Sequence, residues 1–336
     1  MSKSKVGCGG IGVIMYIVFM IIKGLIFSGE DSSKYIDDTS YEPEIITGTI
    51  SHSLDWNDTE HPEKSYDGIV TLSAEDYYDS KKNKESYWMY NRDLEPDQNK
   101  IGPGSNAFRY VKEAFIWNKD VSSYSFDDSR WNSSLLEPTG IKEGYPYMKS
   151  YYNDNSKMND VYSIFNKIQK QNNLSKYEFA NMVVSFVQNI KYNIPTTGSC
   201  SEEYENGGMV QEMIDDGHSC DSYVAFGYYA PVEFIGNWKG DCDTRSVFLF
   251  TVLKHYGYDV VILNSKLYQH SILGINLVPE STTIPLYKKY NYTKYYAWEA
   301  TRPLSLGLLN PEVNNMREWD VVLDNNLNCS ITLLNL

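Results

Sequence analysis

The chain has 336 residues, 42% of them hydrophobic, and carries 44 acidic against 30 basic side chains for a net charge of −14. That apolar content supports a true core in one large domain or two small ones. The acidic balance argues against nucleic acid as a partner, because such a protein needs basic surface to neutralise phosphates.

"MSKSK" (1–5) precedes "VGCGGIGVIMYIVFMII" (6–22), 17 uncharged positions ending at Lys23. A helix of that length spans roughly 26 Å. With Lys23 snorkelling and "GLIF" added to Phe27, it reaches the hydrocarbon thickness of about 30 Å. The expectation is a single transmembrane helix over 6–27, with residues 1–5 cytoplasmic and the bulk of the chain extracytoplasmic. A cleaved signal peptide is the rival reading, but no A-x-A-like site follows the apolar run. Residues 28–45 are polar and acidic and read as a tether.

From 46 to 150 the chain shows short alternating or aromatic stretches, "EIITGTISHSLDW", "GIVTLSAEDYY", "SYWMYNRDL" and "AFIWNKDVSSYSF", divided by turn residues. This predicts a strand-rich accessory region. The pattern changes near 155 and opens the second unit, 151–336. Met158, Val161, Ile164, Phe165 and Ile168 form a helical stripe. Ser175 and Glu178 make a capping box, with Leu174 and Phe179 as its hydrophobic staple. The stripe Phe179, Met182, Val183, Phe186, Val187, Ile190 follows, and Pro195 is expected to stop that helix.

Cys200 and Cys220 bracket a Gly- and acid-rich loop and are the disulfide candidates, with Cys329 as an alternative partner. "RSVFLFTVLKHYG" is apolar almost all round and ends at Gly257, so it predicts a buried helix. "DVVILNS" (259–265), "HSILGINL" (270–277) and "KYYAWEAT" (294–301) read as strands. The fold class expected is α+β, with a helix held against an antiparallel sheet.

Cys242 opens that helix. Gly240 permits the tight turn leading in, and Asp241 is the N-cap candidate. The helix dipole favours the thiolate there, while Asp241 and Asp243 oppose it, so a cationic partner is needed. His270, at the start of a predicted strand, is the candidate base. Glu299, a carboxylate in the middle of an otherwise apolar strand, is the candidate orienter. Gln188 and Trp238 are candidate side-chain donors for an oxyanion. No CxxC or HxxxH spacing appears, so no metal is expected, and no cofactor either. The rival zinc set would be His218, Cys220, Cys200 and Cys242.

"FVQNIKY" (186–192), "GDCD" (240–243) before an apolar helix, "HYGYDVVIL" (255–263), His270, "YYAWEAT" (295–301) and "LGLLNP" (306–311) occur in that order. Together they resemble the transglutaminase-like superfamily of papain-like thiol enzymes, in particular its bacterial and archaeal cysteine-peptidase-like branch. The likeness covers roughly 155–312. "SHSLDW" and "GIVTLSAEDYY" are more weakly similar to the strand-rich segment that precedes the core in that branch. The resemblance implies Cys242 as nucleophile, His270 as base and Glu299 as the acid that orients it. It also implies a protein or peptide substrate attacked at an amide bond. Three departures stand out: glutamate where the family often has aspartate, Thr244 where a second acid is frequent, and a long stretch between His270 and Glu299. The non-enzymatic alternative is a binding or scaffolding module of the same shape at the cell surface.

Overall fold

The structure is a computed structural model that describes residues 36–37, 48–92, 144–280 and 284–327. The apolar segment 6–27, the tether apart from Ile36–Asp37, Cys8, Cys329 and the strands expected between 93 and 143 lie outside the described residues. Among the described residues no helix is long and apolar enough to cross a membrane.

Helices pack on an antiparallel sheet, and the fold is α+β. After a two-residue strand β1 (Ile36–Asp37), strands β2 (Thr49–Asn57) and β3 (Ser65–Ser73) form a hairpin in register from Thr49↔Ser73 to Asn57↔Ser65. One face buries Leu54, Trp56, Tyr66, Val70 and Leu72, and the Trp56 indole donates to the Met182 carbonyl at 3.2 Å.

Beyond that hairpin the strand-rich expectation is corrected. Residues Ala74–Arg92 form helix α1, including most of "SAEDYY" and "SYWMYNRDL", which read as strands. The aromatic residues suggested strands, but no period-two apolar face accompanies them. Glu75 and Asp76 in the first turn suit the positive end of the helix dipole instead. Helix α2 (Tyr145–Asp154) runs across the boundary expected at 150.

Helix α3 (Asn159–Asn172) buries Val161, Phe165 and Ile168 as its stripe predicts, with Ile164 only partly covered. Helix α4 (Lys176–Asn189) carries the capping box: Glu178 N donates to Ser175 Oγ at 3.2 Å, and Ser175 N to Glu178 Oε2 at 2.9 Å. It ends at Asn189, before Pro195, because Lys191–Pro195 turns into strand β4.

The loop between the two cysteines holds short helices α5 (Cys200–Asn206) and α6 (Met209–Asp215), then strand β5 (Ser219–Asp221). Cys200 and Cys220 are joined as a disulfide across a separation of 20 residues. Exchanging both for serine is expected to cost about 3 kcal/mol, the loop-closure entropy returned to the unfolded chain. Urea unfolding with and without reductant measures this; equal midpoints would refute it.

Helix α7 (Pro231–Asn237) leads through strand β6 (Lys239–Gly240) into helix α8 (Cys242–His255). Strands β1, β5, β4 and β6 form a small parallel sheet, with Tyr192 opposite Gly240. Strands β7 (Val260–Ser265), β8 (His270–Ile275), β9 (Tyr287–Tyr290), β10 (Thr293–Trp298) and β11 (Asp320–Leu323) make the antiparallel sheet, in the order β11-β7-β8-β10-β9. The long stretch between His270 and Glu299 thus supplies edge strand β9.

"VVIL" is unbroken because both faces of its strand are buried. Val260 and Ile262 join the helix-side core, while Val261 and Leu263 join a second cluster under Leu309, Trp319 and Val321. The helix-side core is continuous from the hairpin through α3, α4 and α8 to the sheet.

Candidate active site

Asp241 caps α8: its Oδ1 accepts from Thr244 N at 2.9 Å. Gly240 is needed for proximity more than for a turn. A β-carbon there would lie 2.4 Å from Thr244 Cγ2, and Thr244 is itself fixed, since its hydroxyl accepts from Tyr229 N at 2.9 Å. Sequence order then puts Cys242, 8% exposed, at the first position of the helix.

Helix α8 packs across β7 and β8, which brings the thiol to the start of β8. The backbone N–H of Ser271 lies near enough to the sulfur to favour its ionised form. Its neighbour His270, 17% exposed at the side chain, sets Nε2 3.0 Å from Glu299 Oε2 and 3.2 Å from Oε1. Glu299 lies one residue past the end of β10, not within a strand as expected, and is 2% exposed. Its Oε1 also accepts from Thr301 N at 2.9 Å and from Thr301 Oγ1 at 2.7 Å. Because Nε2 is taken by the carboxylate, Nδ1 is the ring nitrogen left for proton exchange. Trp319, which the sequence reading did not pick out, stands edge-on to the imidazole at 5.8 Å.

The charges follow from these contacts. Burial alone would raise the Glu299 carboxyl, but the His270 hydrogen bond and charge, with the Thr301 donors, bring it down to about 2. Burial alone would lower His270, yet Glu299, with Asp243 and Asp241 behind it, raises it above its ordinary value. The thiol departs from expectation. Burial, then Asp243 and Asp241, push Cys242 well above the usual thiol range, and the Ser271 N–H draws it only part of the way back. Desolvation and two carboxylates outweigh the helix end. Asp241 itself is raised to about 7 by burial and by Asp243.

Gln188 is not placed as an oxyanion donor. Its amide donates to the carbonyls of Glu299 at 2.8 Å and Leu304 at 3.0 Å, and its oxygen accepts from Thr59 Oγ1. It ties the acid's backbone to α4 and the hairpin. Trp238 caps α7 in left-handed backbone (φ +56°), stacked on His52 at 4.6 Å and edge-on to Phe186 at 5.7 Å. Its ring is thereby fixed four positions before Cys242.

A polar chain surrounds the nucleophile turn. Tyr147 Oη donates to Asp243 Oδ1 at 2.8 Å, Asn264 Nδ2 to Tyr147 Oη at 3.3 Å, and Ser271 Oγ to Asn264 Oδ1 at 2.6 Å. Beneath it lies Arg245, fully buried in α8. Among the described residues its guanidinium donates to backbone alone: Nε to Gly240 O at 3.0 Å, Nη1 to Val187 O at 2.8 Å and Ala300 O at 3.2 Å, and Nη2 to Ile190 O at 2.6 Å. An arginine inside the otherwise apolar "RSVFLFTVL" was the signal available in the sequence.

Asp241, Cys242 and Asp243 place potential metal-donor atoms within 4.8 Å of one another. Both carboxylates are already engaged, as helix cap and as acceptor of Tyr147, so the cluster serves as scaffolding for the turn. The rival zinc set loses Cys200 and Cys220 to the disulfide. Compared with known proteins, the chain matches no family model, no curated protein and no solved structure.

Proposed function

We propose that this chain is a transglutaminase-like thiol enzyme that cleaves or exchanges amide bonds of a protein or peptide substrate, held at the outer face of a membrane by residues 6–27. One observation carries the reading. The imidazole of His270 is oriented by a buried carboxylate 3.0 Å away, and the backbone of the next residue lies near a sulfur at a helix N-terminus.

Because the resting thiol is held un-ionised, His270 acts as a general base during attack. As the Cys242 sulfur bonds to the carbonyl carbon, its proton passes to the imidazole and the carbonyl electrons move to oxygen. The oxyanion is met by the Cys242 N–H at the helix start and by the Trp238 indole. The C–N bond then breaks, and the amine leaves with the proton from His270. Water resolves the thioester to an acid, or a second amine resolves it to a new amide.

Full-length wild type and His270→Ala are compared by iodoacetamide labelling between pH 5 and 10, with Cys242 followed by mass spectrometry. Wild type is expected to label at pH 7 about 100-fold faster than His270→Ala, within the range of a positioned general base. Equal rates would leave the second reading, a binding or scaffolding module, which the raised thiol favours.

A further inference from the structure

We propose that Arg245 is the positioning residue of this centre, the group that fixes the backbone beside the thiol and the backbone beside the acid in one frame. The proposal rests on the acyl-transfer reading. Gly240, two residues before Cys242, and Ala300, the residue after Glu299, both surrender their carbonyls to the same guanidinium. The other two acceptors, Val187 and Ile190, are carbonyls at the C-terminal end of α4, where intrahelical partners run out. Three separate stretches of chain therefore meet on one rigid planar fork.

Chemistry explains why the fork is arginine. A guanidinium presents donors at fixed angles, whereas a lysine ammonium is a point charge on a flexible stem and cannot span four acceptors. A buried cation is costly, and among the described residues Arg245 forms no ion pair. Four carbonyls and the face of Tyr192, 5.4 Å from the guanidinium carbon, take the place of a counter-ion. A leucine would satisfy an ordinary core helix at this position. The distinguishing feature of Arg245 is that its contacts sit directly beside the nucleophile and the acid.

The test uses the full chain as wild type, Arg245→Lys, Arg245→Met, His270→Ala and Phe165→Leu, a core substitution on α3 that lowers stability away from the site. Each is labelled at Cys242 with iodoacetamide across pH, with thermal unfolding measured in parallel. Arg245→Lys keeps the charge and is expected to stay folded yet to label on the order of 10- to 100-fold more slowly at pH 7, as a displaced reacting pair does. Phe165→Leu is expected to lose stability and keep the wild-type labelling profile. Arg245→Met is expected to behave like Arg245→Lys or to fail to fold, in which case the lysine variant decides. If Arg245→Lys labels like wild type while His270→Ala does not, the positioning role falls and the reading stands. If His270→Ala labels like wild type, the reading falls and the positioning role with it.

Discussion

Glu299→Ala is expected to destabilise the protein by about 3–5 kcal/mol near pH 5.5, the cost of removing one partner from a buried ion pair. The effect should depend on pH in a defined direction. Glu299 is depressed from 4.5 to about 2, so its contribution is present above 4.5 and lost as pH falls towards 2. His270 is raised above 6.5, so its contribution is complete below 6.5 and is lost as pH rises through its folded value. The bridge is therefore strongest between 4.5 and 6.5. Urea unfolding of wild type and variant at pH 5.5 and pH 8.5 checks this, the difference being larger at the lower pH. A penalty equal at both values would mean that the carboxylate acts through packing and the Thr301 bonds alone. Cys242 labelling should fall as well, because an unoriented imidazole spends less time in the productive geometry.

Lys84→Ala should be comparably damaging, at about 3–5 kcal/mol, for a reason unrelated to chemistry at the thiol. Lys84 Nζ lies 2.7 Å from Glu233 Oε2, with both side chains almost wholly buried, and also donates to the Tyr228 carbonyl. Glu233 Oε2 in turn accepts from Ala230 N at 2.8 Å and closes the N-terminus of α7. Removing the lysine leaves a buried carboxylate without its cation, next to the helix that leads into the Cys242 turn. Lys84→Met combined with Glu233→Gln should recover much of the loss, since the uncompensated charge goes with its partner. A double variant as unstable as Lys84→Ala would refute that account. A Lys84→Ala loss below about 1 kcal/mol would show that water reaches the pair.

The sequence made legible whatever its local chemistry enforces. The Ser175 box, the Asp241 cap, the buried helix and the strands from 259 to 301 all carry periodicity or capping signals within a few residues. His270 and Glu299 were legible as a pair because a carboxylate amid apolar strand residues needs a partner. Long-range geometry was not legible. Strand β4 is extended because its neighbours β5 and β6 pair with it, and nothing in "KYNIP" announces that. Helix α1 was hidden by tyrosines that resemble strand residues, and Lys84, which pins it, finds its partner 149 positions away at Glu233. The sign of the shift at Cys242 depended on how deeply two aspartates and the thiol are buried together, which spacing alone does not fix.

Thr59, at the tip of the N-terminal hairpin, holds the far end of the amide whose other end carries the Glu299 carbonyl. The motif-bearing half of the chain is consequently not a minimal unit. Trimmed to residues 151–336, it would lose the brace on its acid and bare the apolar ground on which Trp56 rests. Truncation for expression or crystallisation should start before residue 48, so that the hairpin travels with the thiol.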